Sequence, residues 1–119
     1  GPGSVAIDDR VGARMAFRSD WLRELSGGNP AGLSVIRVKG DSMQDAGILE
    51  GDLVVVEKTA SAGRGDVVVA IVDGQFTLKR LDVDRGQFVL KPENKAYPVI
   101  RPEGTLEIFG VMVGLVRKL

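Results

Sequence analysis

Asp73 and Gly74 stand alone between two extended-looking runs, Val67 to Val72 and Gln75 to Leu81. A two-residue connection of this kind needs positive φ at both central positions, the type I′ turn, and Asp-Gly is among the few dipeptides that accept it. The two runs are therefore expected to be antiparallel neighbours, and the chain is committed to a sheet. A second hairpin is expected through Asp84-Arg85-Gly86 into the run Gln87 to Lys91. Leu33 to Val38 has strand composition, with Ile36 and Val38 alternating against Arg37 and Lys39. Leu53 to Glu57 and Val67 to Val72 are short β-branched runs of the kind that form strands covered on both faces. A long final strand is expected over Thr105 to Lys118, with Gly110 and Gly114 marking a bulge or bend.

Helical patterning is confined to the start of the chain. Trp21, Leu22 and Leu25 share one face of a short amphipathic turn, with Ser19 or Asp20 as N-cap and Trp21 as a packing residue. Ser26-Gly27-Gly28-Asn29-Pro30 ends it. The fold class expected is mostly β, with compact, strongly bent sheets and one short N-terminal helix. Residues 1–14 read as an N-terminal arm and residues 15–119 as one domain.

Composition excludes more chemistry than it suggests. No run in the 119 residues reaches the ~18 apolar residues of a membrane helix. Sixteen basic residues balance sixteen acidic ones, so the chain lacks a basic footprint for nucleic acid, and any contact with DNA is expected from another domain. The absence of cysteine removes disulfides, thiol nucleophiles and Cys-based zinc sites, and fits a cytoplasmic setting. The absence of histidine removes the Ser-His-Asp triad and the usual zinc hydrolase sites. No cofactor or metal is expected. Asp41, Asp45, Glu50 and Asp52 do not have calcium-loop spacing, and Arg64-Gly65-Asp66 reads as a turn rather than an adhesion motif.

Two residues remain of interest. Ser42, in Gly40-Asp41-Ser42-Met43, lies at a break between β-like runs. The sequence Ser42-x-x-Asp45 resembles a capping box, and the same bend offers backbone N–H groups suited to an oxyanion. Lys79 is the candidate base. Period-two alternation puts Thr77, Lys79 and Leu81 on one face and Phe76, Leu78 and Arg80 on the other, so one of the adjacent pair Lys79 and Arg80 points inward. Arginine stays protonated, whereas a desolvated lysine loses its proton readily. For a mostly neutral amine at pH 7 the pKa must fall by about 3, which costs the fold roughly 4 kcal/mol.

The blocks GDSM, GILEGD, GDVVVAIVDGQFTLKRL, LKPENKAYPVI and LEIFGVMVGLVRKL, in this order over residues 33–119, resemble the self-cleaving domain of the LexA, UmuD and phage CI repressor family. The resemblance implies a LexA-like serine peptidase and dimerisation domain, with Ser42 as nucleophile and Lys79, 37 positions later, as general base of a Ser-Lys dyad. It also implies an oxyanion-hole N–H from Met43. The implied partners are a second copy, paired through the C-terminal strand to cover its edge, and a RecA-type filament acting as co-protease in the DNA-damage response. DNA would be bound only through an N-terminal domain absent from these residues.

The family's substrate is an Ala-Gly or Cys-Gly bond ahead of its own catalytic domain. Here Ala31-Gly32 lies too close to Ser42 to loop back, and Ala46-Gly47 and Ala62-Gly63 fall beyond it. Gly1-Pro2-Gly3-Ser4 resembles an expression-vector remnant, and Gly1 suits equally a position just past a natural cleavage point. The segment Met15 to Leu22 looks more like prophage-type repressors, while VDGQFTLKRL and LEIFGV also suit a UmuD-like subunit of a translesion polymerase. A type I signal peptidase, which also uses a Ser-Lys dyad, fits the short, anchorless chain poorly. A silent dimerisation module is the non-enzymatic alternative.

Overall fold

The computed structural model describes residues 5–7, 19–26, 32–59, 61–104 and 106–119. Seven strands, β1 (Val5–Ile7), β2 (Leu33–Val38), β3 (Leu53–Lys58), β4 (Val67–Val72), β5 (Gln75–Asp84), β6 (Gln87–Lys91) and β7 (Glu107–Val116), form one antiparallel sheet. A single α-helix, α1 (Ser19–Ser26), and a 3₁₀ turn, Gln44–Ala46, complete the described elements. The mostly β expectation with one short N-terminal helix is what the structure shows. Residues 1–4 and 8–14 of the expected arm lie outside the described residues, and Val5–Ile7 pair with β2.

Both hairpins form. Asp73 (φ 50°) and Gly74 (φ 76°) make the two-residue turn between β4 and β5, and Arg85 (φ 54°) with Gly86 (φ 77°) makes the next, with Asp84 and Gln87 as its closing pair. Strand order in the sheet is β1-β2-β3-β7-β4-β5-β6. The final strand is thus central, hydrogen-bonded to β3 on one side and β4 on the other. Pairing with β4 covers residues 107–111 and pairing with β3 covers residues 110–116, so the edge expected for a second copy narrows to the β4 side of residues 112–116, where no strand among the described residues is paired.

The ladders of β7 slip by one residue opposite Val55/Val56 and opposite Val69/Ala70, next to Gly114 and Gly110 respectively. These bulges sharpen twist where the strand must serve two neighbours. A Cβ on Gly110 would lie 2.5 Å from the Glu57 carbonyl oxygen, and one on Gly114 3.2 Å from Leu25 of α1. Glycine is thus the residue that lets β3 and the helix approach β7. The sheet rolls until the Cα traces of β1 and β5 come within 8 Å.

Rolling gives the sheet two buried faces, which explains the continuous apolar runs of β3 and β4. Ile36, Val38, Met43, Ile48, Val54, Val56, Val69 and Leu78 form one core, and Val68, Ala70, Leu81 and Leu90 the other. Adjacent residues of β4 alternate between them. Met43 and Ile48 come from the connection between β2 and β3, so burying their side chains anchors that irregular segment to the core.

Candidate functional site

The connection between β2 and β3 is shaped by local chemistry. Gly40 (φ 78°) turns the chain out of β2, and Gly47 (φ 76°) closes the 3₁₀ turn with its N–H on the Gln44 carbonyl. At its base, the Gly51 N–H donates to the Val38 carbonyl and the Val38 N–H to the Asp52 carbonyl, each at 2.9 Å. Ser42 sits within this closed loop. The N-cap position of the 3₁₀ turn is Met43, with no side-chain cap, so a capping role for Ser42 is not what the structure shows.

Lys79 points inward and Arg80 outward. The Lys79 ammonium nitrogen lies 3.1 Å from Ser42 Oγ, 2.8 Å from Thr77 Oγ1 and 3.1 Å from the Leu78 carbonyl oxygen. Lys79 is 3% exposed and Ser42 1%. Desolvation pulls the Lys79 pKa down from 10.5 to about 8, because burial disfavours the charged form. That is most of the way to the value set by the sequence argument, and at pH 7 it leaves about one amine in ten neutral. Among the described residues, the Met43 backbone N–H, one residue past Ser42, donates to no protein acceptor.

Several residues at this site escape sequence reasoning. Thr77, already placed on the face of Lys79 by strand alternation, accepts from its amine, a role the spacing did not assign. Asp52, 3% exposed, accepts from the Leu49 N–H at 2.7 Å and from Arg117 through both carboxylate oxygens at 2.7 Å. Arg117 holds the Asp52 carboxyl below its ordinary pKa, and also donates to the Gly47 carbonyl at 2.7 Å. Glu93, Asn94 and Tyr97, from the segment after β6, hydrogen-bond to Asp41 and Asp45 on either side of Ser42. Among the described residues no group of His, Cys, Asp or Glu side chains is arranged to hold a metal ion. None of their helices is long and apolar enough to cross a membrane.

The Peptidase S24-like family model matches residues 1–113. The chain belongs to this family. It is 44% identical over 90 residues to a LexA repressor of Clostridium botulinum, 76% of this chain and 44% of that protein. It is 45% identical over 86 residues to the LexA repressor of Pelotomaculum thermopropionicum, 71% of this chain and 41% of that protein. Protein SamA of Salmonella typhimurium is 44% identical over 89 residues, 75% of this chain and 62% of the relative. The chain thus spans less than half the length of the LexA repressors it matches. An S24-like fold and a repressor-type peptidase family are what the resemblance of its sequence blocks implied.

Proposed function

We propose that this domain is a self-cleaving serine peptidase in which Ser42 is the nucleophile and Lys79 the general base. The carrying observation is the 3.1 Å hydrogen bond between two side chains that are both almost fully buried. In the neutral form, Lys79 takes the Ser42 proton as Oγ attacks the carbonyl carbon of the scissile bond. The Met43 N–H faces the oxyanion of the tetrahedral intermediate, where a preorganised donor acts most strongly. The Lys79 ammonium then returns the proton to the leaving amine as the C–N bond breaks. Water hydrolyses the Ser42 ester, with Lys79 as base a second time.

The substrate in this reading is an Ala-Gly-type bond upstream of the domain, cleaved in cis, so the rate is first order and independent of protein concentration. The protein acts as a LexA- or CI-like repressor of the cytoplasmic DNA-damage response, with DNA bound through an N-terminal domain. A RecA-type filament favours the docked state of the cleavage loop. Its homodimer pairs through the C-terminal strand, along the side of residues 112–116 that β4 leaves uncovered. A UmuD-like polymerase accessory role is the second reading, favoured by the coverage of 62% of Protein SamA.

Ser42→Ala and Lys79→Ala test the dyad in the protein carrying its native upstream sequence. Each is expected to lower self-cleavage by more than about 10³-fold with the fold retained. Wild-type rates in either variant would refute the dyad, whereas no self-cleavage in the unsubstituted protein would leave the dimerisation module as the function.

A further inference from the structure

We infer that residues 93–97 form a clamp that sets Ser42 against Lys79, with Asn94 and Tyr97 as positioning residues. This deepens the Ser-Lys reading and rests on it. The clamp grips the turn on both sides of the serine. Asn94 Nδ2 donates to the Asp41 carbonyl at 2.9 Å, Tyr97 Oη donates to the Asp41 carboxylate at 2.5 Å, and the Asp45 N–H donates to the Glu93 carbonyl at 2.8 Å. Asp41 is therefore held by both its backbone and its side chain, one bond from the nucleophile's own backbone. The hydrogen bond to the Asp41 carboxylate raises the Tyr97 pKa, which keeps the phenol a donor.

The clamp is itself built to hold still. Asn94 Oδ1 accepts from the Ala96 N–H at 2.9 Å and its carbonyl from the Tyr97 N–H at 3.1 Å, so one side chain folds the segment and grips Asp41. Leu90 and Ile100 exchange two backbone hydrogen bonds at 2.9 and 2.8 Å, fixing both ends, and Pro92 is buried. Glu93 also accepts from Arg80 Nε at 2.6 Å, and Arg80 follows Lys79 on β5. The path Lys79-Arg80-Glu93-Asp45 thus ties the base's strand to the nucleophile's turn independently of the bond between Lys79 and Ser42.

A merely structural segment and a positioning clamp differ in what they change. Tyr97→Phe removes one hydroxyl from a half-buried side chain, and Asn94→Ala removes the grip on the Asp41 carbonyl. With a peptide bearing an Ala-Gly bond supplied in trans, kcat is expected to fall about 10-fold in Tyr97→Phe and about 100-fold in Asn94→Ala, with KM within about twofold. In the same proteins, the ¹³C NMR titration of Lys79 is expected to move up by about half a pH unit as the loosened turn admits water. Folded variants with wild-type kcat and an unmoved Lys79 midpoint, or with a raised KM alone, would overturn the clamp. Should Asn94→Ala fail to fold, Tyr97→Phe decides. Should wild-type protein fail to cut the peptide in trans, self-cleavage of the protein carrying its native upstream sequence judges the peptidase reading, and the Lys79 midpoint in Tyr97→Phe still judges the clamp: moved, it stands; unmoved, it does not.

Discussion

Asp52 and Lys79 are equally buried, each 3% exposed, and each has a depressed pKa, yet the causes oppose one another. For Asp52 the largest cause is the Arg117 hydrogen bond, and desolvation works against the shift. For Lys79 desolvation is the cause. Burial at Asp52 is therefore offset by a partner that prefers the charge, as buried carboxylates require. At Lys79 burial works on the charge itself, and the fold gives up stability to hold an amine that sheds its proton more readily. Two buried polar groups thus differ in kind, Asp52 fixing the loop and Lys79 being the group proposed to carry chemistry.

Removing each side chain should move stability in opposite directions, and this is the sharpest way to break the comparison. Arg117→Ala leaves the Asp52 carboxylate buried with only the Leu49 N–H, and is expected to destabilise the fold, by less than breaking a fully buried pair because Arg117 is 40% exposed. Lys79→Met keeps the apolar stem and removes the amine. Its expected gain at pH 7 is about 1–3 kcal/mol, bounded by the roughly 3 kcal/mol that a fall from 10.5 to about 8 represents. Urea unfolding of both variants measures the signs. A loss of stability in Lys79→Met, with packing conserved, would show that desolvation is not what sets the amine's pKa.

The two sites should also separate along the pH axis. Lys79 binds its proton more weakly in the folded chain, so between about 8 and 10.5 the unfolded state holds more protons and stability rises with pH. The advantage of Lys79→Met over wild type should be complete below pH 8 and gone by about pH 10.5. Asp52 is also depressed, so its contribution is present above its ordinary 3.8 and lost as pH falls through its lower folded value. Wild-type and variant unfolding curves with a constant gap from pH 7 to 10.5 would sink the assignment to Lys79.

The difference between these two sites also marks what was legible beforehand. Strand phase is local, so the sequence could narrow the inward residue to one of Lys79 and Arg80: Asp73-Gly74 fixes the hairpin, and alternation makes the two face opposite ways. The meeting of Lys79 with Ser42 was reached through the resemblance of whole blocks, since nothing local spans 37 residues. Asp52 and Arg117 are 65 positions apart, and Asp41 and Tyr97 56 apart, with no periodicity linking either pair. The central place of β7 was illegible for the same reason. A last strand with glycines looks like an edge until the crossover that inserts it between β3 and β4 is known.

The smallest of these effects is the most direct reading of the amine. If Lys79 must be neutral to accept the Ser42 proton, the cleavage rate follows the neutral fraction, half-maximal near pH 8 and level above about pH 9. At pH 7 the rate should be roughly a tenth of that plateau, equivalent to about 1.4 kcal/mol of barrier. A factor that stabilises the docked cleavage loop should raise the whole curve without moving its midpoint, because it adds no titrating group at the amine. A factor that further desolvates the site should instead move the midpoint down and leave the plateau unchanged. Cleavage rates from pH 6 to 10, with the fold followed by circular dichroism, distinguish the two. A rate that falls above pH 8 while the sheet remains intact would rule out a lysine base.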